Sequence, residues 1–140
     1  MDITTEINDD IALITMDDGK KNAITPQALT ELNAALDEAE SEAGAVVLSG
    51  RPGSFCAGFD LSIMTGGDID AVRTVAKTGG EFALRLWSFP KPLVAACTGH
   101  AFTIGAIWLC SCDTRIGDRG AFTIGMTETR MGMTLTPWAL

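Results

Sequence analysis

The chain has 140 residues, of which 46% are hydrophobic and 20% charged, and a net charge of −8. That composition belongs to one globular domain and excludes a disordered or collagen-like chain. The longest clean apolar run is the seven residues from Ile104 to Cys110, far short of the ~18 that cross a bilayer. Met1–Glu6 is acidic, with no apolar stretch of signal-peptide type, so a cytoplasmic protein with no membrane partner is expected. The first fifty residues hold eleven carboxylates against Lys20 and Lys21. With no basic stripe, nucleic acid is not an expected partner. A polyanionic ligand would have to be held locally, by backbone N–H groups or a few cations. The four cysteines (Cys56, Cys97, Cys110, Cys112) form no C-x-x-C pair, and the one histidine, His100, cannot complete a zinc set. All four read as reduced, small apolar residues, and no metal site is expected.

In chain order, Ile11–Met16 is a β-prone run closed by Asp17-Asp18-Gly19-Lys20. Thr25 as cap and Pro26 at the first helical position open a helix. Its apolar face is Ala28, Leu29, Leu32, Ala35, Leu36 and Ala39. Ala45–Gly50 suits a buried parallel strand. Phe55–Leu61 is a segment of small residues with a glycine where the backbone can bend sharply. Ile69, Val72, Val75, Phe82, Ala83 and Leu86 predict a long helix, weakened by Gly79-Gly80 and stopped by Pro90 and Pro92. Leu93–Cys97 is the next buried strand, Thr98–Thr103 a loop, and Ile104–Cys110 a short apolar helix. Thr114–Gly117 and Ala121–Thr123 are short strand candidates. Ala-Phe-Thr-Ile-Gly occurs at 101–105 and again at 121–125, and one short match does not make a repeat architecture. The alternation predicts an α/β fold with largely parallel strands in a single domain over 1–140. Pro137-Trp138-Ala139-Leu140 is an apolar end, which reads as a piece of something longer.

Two segments could carry chemistry through their backbone: 55–61 and 99–105. Each has glycine and small residues after an apparent strand. Two N–H groups from separate loops can hold an oxyanion, although glycine-bearing strand–helix loops are common in α/β proteins for purely structural reasons. Glu128, amid apolar and small residues, can be a base, a partner of Arg130, or a solvated side chain. Asp60 and Asp113 read as loop caps. His100 stands beside Gly99 without the spacing of a Ser/His/Asp set.

Taken together, Phe55-Cys56-Ala57-Gly58-Phe59-Asp60-Leu61, Lys91–Ala101, Cys112-Asp113-Thr114-Arg115-Ile116 and Lys21-Asn22-Ala23-Ile24 resemble four motifs of the crotonase superfamily, the enoyl-CoA hydratase/isomerase family, in order and spacing over residues 8–136. The resemblance implies a spiral of ββα units, here without the family's C-terminal helical region. It implies a coenzyme A thioester as substrate and no permanently bound cofactor. An oxyanion hole would be made by the N–H groups of Phe59 and Ile104, with Ala23, Ala57 and Leu61 near the coenzyme A. It also implies homotrimers or hexamers for a longer parent chain, so residues 1–140 alone are not expected to be a stable monomer.

Two departures shape the expected activity. Thr103-Ile104-Gly105 stands where the family carries a glycine run. Ile107 occupies the position of the first of the two glutamates of hydratases, leaving Glu128 as the one carboxylate. One base suits moving a double bond from the β,γ to the α,β position better than adding water, which needs both an activated water and a proton source. Isomerisation is therefore expected ahead of hydration, and the competing class is an acyl-CoA-binding or interaction protein without catalysis.

Overall fold

The computed structural model describes residues 1–132 together with Thr134 and Leu135; the apolar end at Pro137–Leu140 lies outside the described residues. In chain order the elements are β1 (Asp2–Asn8), β2 (Ile11–Asp17), β3 (Ala23–Ile24), α1 (Pro26–Glu42), β4 (Ala45–Ser49), β5 (Gly53–Cys56), β6 (Gly58–Phe59), α2 (Leu61–Thr65), α3 (Ile69–Trp87), β7 (Leu93–Cys97), β8 (Gly99–Phe102), α4 (Ile104–Ser111), β9 (Thr114–Gly117), β10 (Ile124–Gly125) and a 3-10 turn at Glu128–Met131.

Local chemistry accounts for α1. Thr25 Oγ1 accepts from the Ala28 N–H at 3.2 Å, and Pro26 sits where a missing N–H costs nothing. The six residues of the predicted apolar face are the six that are buried. The long helix α3 also forms where its periodicity places it, and Asp68 caps it by accepting from Asp70 and Ala71 N–H. Gly79-Gly80 does not break it. A Cβ at Gly79 would lie 2.6 Å from two ring atoms of Phe59, so the glycine is a notch that receives an aromatic ring.

A five-stranded sheet runs in the order β1-β2-β4-β7-β9, antiparallel in the first pair and parallel thereafter. A second sheet, β10-β8-β5, and the pair β3-β6 are wholly parallel. After the opening hairpin the chain repeats one move: a strand in the large sheet, a strand in the small one, then a helix. β4-β5-(β6-α2)-α3 and β7-β8-α4 are two turns of this ββα spiral. The core lies between the large sheet and the helices. Trp108 is fully buried there, edge-on to Phe82 at 4.7 Å between ring centres.

Three expectations are corrected. β1 was not foreseen, although its half-buried Ile3, Thr5 and Ile7 alternate with exposed polar residues as a one-sided strand does; the acidic terminus masked that pattern. The segment expected as a loop at Thr98–Thr103 contains β8, whose residues pair with β5 on one side and β10 on the other. The strand expected at Ala121–Thr123 forms instead at Ile124–Gly125. The repeated pentapeptides do end up side by side, but Ile124 pairs with Ala101, not with Ile104. The first copy runs from strand into helix and the second from turn into strand, so they are not equivalent units.

The cysteines are free, with Cys56, Cys97 and Cys112 buried and Cys110 exposed. Burial pushes the Cys56 and Cys112 thiols up to about 12, which leaves neither as a nucleophile. Among the described residues no cluster could hold a metal ion, and no helix is long and apolar enough to cross a membrane.

Candidate active site

The two small-residue segments converge because glycine lets them. Gly58, at φ +95°, lies so close to Thr103 that a Cβ there would be 2.2 Å from the threonine Oγ1. A Cβ at Gly105 would be 2.6 Å from the Cβ of Cys56. The end of β5 and the start of α4 are thus pressed together, and the residues that follow the touching pair Gly58/Thr103 are Phe59 and Ile104. Asp60 N–H donates to Ile24 O at 2.9 Å, so the preceding Phe59 N–H faces the other side of the strand pair. Ile104 is the first residue of α4, where an N–H has no carbonyl of its own helix to reach.

Both residues line one cleft of about 890 Å³. Ala23, Ala57, Leu61 and Glu128 line it too, so all six residues singled out from the sequence are brought to one cavity. Ile107 contributes to its wall, half-buried and apolar. Glu128 opens the 3-10 turn, and its Oε2 is buried with no hydrogen-bond partner among the described residues. A carboxylate oxygen withdrawn from water and left unpaired is costly in a folded protein.

Asp60 and Asp113 are caps, as expected. Asp60 Oδ1 accepts from Ser62 N–H and Oγ, which hold its carboxyl below the usual carboxylate range. Asp113 Oδ2 accepts from Leu93 N–H at 2.8 Å.

Four residues lie in the cleft wall or directly behind it for reasons that composition and motif alone do not disclose. Asn22 is fully buried at φ +58°. Its Nδ2 donates to Met16 O, Ser54 O and Phe55 O at 2.9, 3.2 and 3.1 Å, while its Oδ1 accepts from Asp18 N–H. One side chain thereby joins the end of β2 to β5 and places Ala23 beside Gly58. Lys20 and Lys21, the only cations of the acidic first fifty residues, both line the mouth. Beside them, burial acts to raise the Asp18 carboxyl. Backbone N–H groups of Asn22, Ala23 and Lys20 outweigh it, and the net shift is downward.

The fourth is Thr103, at φ +51° and ψ −118°. A β-branched residue is strained there. Thr103→Gly is expected to raise stability by about 1 kcal/mol, or about 4 °C in thermal unfolding of a chain this size. A lowered melting temperature would show that the contact with Gly58 outweighs the strain.

A spiral of this kind, with Phe59, Ile104 and Glu128 lining one cleft, is the crotonase architecture. Comparison with known proteins agrees. The family model described as enoyl-CoA hydratase/isomerase matches residues 6–140, and the chain belongs to that family. A probable enoyl-CoA hydratase of Bacillus subtilis is 30% identical over 94% of this chain and 52% of its own length. Human mitochondrial enoyl-CoA delta isomerase 1 is 31% identical, over 91% and 44%. A Mycobacterium tuberculosis protein superposes with a TM-score of 0.90 at 43% identity, covering 94% of this chain and 56% of the other. It is described as a probable enoyl-CoA hydratase in that crystal structure and as an enoyl-CoA isomerase in another. The chain spans about half the length of the curated relatives it matches.

Proposed function

We propose that this chain forms the oxyanion hole and base of an enzyme that shifts the double bond of an enoyl-CoA thioester by a one-base route. The observation that carries the reading is Glu128 Oε2, buried and without a hydrogen-bond partner among the described residues, on a side chain that lines the cleft. Ile107 lines the same wall and has no proton to give or take. Glu128 removes a proton from the α-carbon of a β,γ-enoyl thioester. The electron pair moves into the dienolate, whose oxygen accepts hydrogen bonds from the Phe59 and Ile104 N–H groups. The same carboxyl then returns the proton at the γ-carbon, which leaves an α,β-enoyl thioester with no net change in atoms. Lys20 and Lys21 at the mouth suit the phosphates of coenzyme A, and Ala23, Ala57 and Leu61 supply the contact surface beside them. Only the thioester is consumed, and no resident cofactor takes part.

The test is turnover on matched β,γ- and α,β-unsaturated thioesters of several chain lengths. Isomerisation without hydration is the expected result. Hydration of the α,β series would make the enzyme a hydratase, and binding without turnover would make the protein a carrier or interaction module.

The same reading includes a homotrimer or hexamer of the whole protein. Leu84 and Trp87 are 64% and 72% exposed and border a second, apolar hollow of about 590 Å³ along α3 and α4, a surface that favours covering. Light scattering of the whole protein should give three or six chains per particle, and a monodisperse monomer would refute this part.

A further inference from the structure

No residue from Asp113 to Arg130 is buried, yet this stretch carries Glu128. Its first part, β9, is held beside β7, and from Thr123 to Gly125 the stretch is held at the edge of β8. There Ala101 N–H donates to Thr123 O at 3.1 Å and Thr103 N–H to Gly125 O at 3.0 Å. The third bond is of another kind: Thr123 N–H donates to a side chain, His100 Nδ1, at 2.9 Å. The imidazole is held on two sides. It stacks on Phe102 with ring centres 5.5 Å apart and planes at 16°, because residues two apart in a strand share a face. It also meets the edge of Phe122 at 5.6 Å and 88°. Phe102 in turn lines the catalytic cleft.

We infer that His100 is a positioning residue, a clamp whose Nδ1 fixes the 122–125 segment and thereby the Glu128 carboxyl against the cleft. The inference rests on the reading of Glu128 as the base. His100 is absent from the cleft lining and takes no part in proton transfer. Nδ1 accepts only when it carries no proton, so the working ring is the neutral form protonated on Nε2. The geometry asks for an acceptor at the δ position and a flat ring between two phenylalanines. Asparagine supplies the first without the second, and phenylalanine the second without the first.

The experiment compares His100→Phe and His100→Asn with Glu128→Gln in the whole protein, by steady-state kinetics and amide hydrogen exchange. Losing one hydrogen bond at a thinly held strand should speed exchange over 122–128 about fivefold and leave α1 unchanged. A base displaced by a fraction of an ångström should lower kcat about tenfold with KM within twofold. His100→Asn, which keeps an acceptor at the place of Nδ1, should recover most of the loss. If His100→Phe does not fold, Thr123→Pro removes the same bond from the donor side and should show the same kcat loss. Unchanged exchange and kcat in His100→Phe, beside an inactive Glu128→Gln, would overturn the clamp alone. Equal impairment of the Asn and Phe variants would also overturn it, since ring packing and not the acceptor would then matter. Wild-type turnover in Glu128→Gln would remove the base itself, and the positioning role with it.

Discussion

Glu128→Gln is expected to lower turnover of β,γ-enoyl thioesters at least ~100-fold while leaving their affinity within about twofold. Glutamine has the shape of glutamate and cannot take up the α-proton. Because Oε2 has no hydrogen-bond partner among the described residues, the exchange breaks no bond there. The folded protein should therefore be no less stable, and thermal unfolding should show an equal or higher midpoint. A buried carboxylate kept for structure would behave the opposite way, with a fall in stability and little change in rate. Unchanged turnover would eliminate the role, whatever the melting temperature.

Asn22→Asp should be the most damaging single substitution around the cleft, at about 4 kcal/mol, a large share of the ~5–15 kcal/mol that holds a domain together. The change replaces one nitrogen by one oxygen. One carboxylate oxygen can still accept from Asp18 N–H, as the amide oxygen does. The other would face the carbonyl oxygens of Met16, Ser54 and Phe55, which now receive donors from Nδ2. Backbone strain plays no part, since aspartate tolerates the left-handed region as well as asparagine does. Burial and the facing carbonyls raise the folded-state pKa of this new acid above its unfolded value. The sign then follows: the penalty is full above the raised pKa and relieved as pH falls through it towards the unfolded value. The gap between variant and wild type in denaturant unfolding should narrow on acidification. Asn22→Ala, which carries no charge, should show a gap independent of pH.

Elements whose stabilising contacts lie within a few residues of one another were legible before any coordinates. The cap Thr25, the proline after it and six apolar residues at helical spacing define α1 by themselves, because Oγ1 reaches an N–H three residues on and the buried face repeats every turn. α3 and the continuous apolar runs of β4 and β7 were readable for the same reason. The six candidate site residues could be named from motifs. That they share one cleft is a property of the folded chain.

The tertiary structure alone decided the rest, and each case involves a distant partner. β8 is four residues long, Gly-His-Ala-Phe, with no apolar run or alternation to distinguish it from a loop. It becomes a strand because β5 and β10 offer carbonyls and N–H groups from 46 residues before and 23 residues after. The Asn22 side chain bonds acceptors 6, 32 and 33 residues away, so its motif signals that it matters without telling what it holds. Thr103 adopts a glycine's backbone angles because Gly58 and Gly125 O meet it from two other segments. Glu128 was an acid with three open readings in the sequence. It became a candidate base when the spiral withdrew one of its oxygens from water with no donor to it among the described residues, since solvation is set by everything packed around a group and its neighbours in the chain are a small part of that.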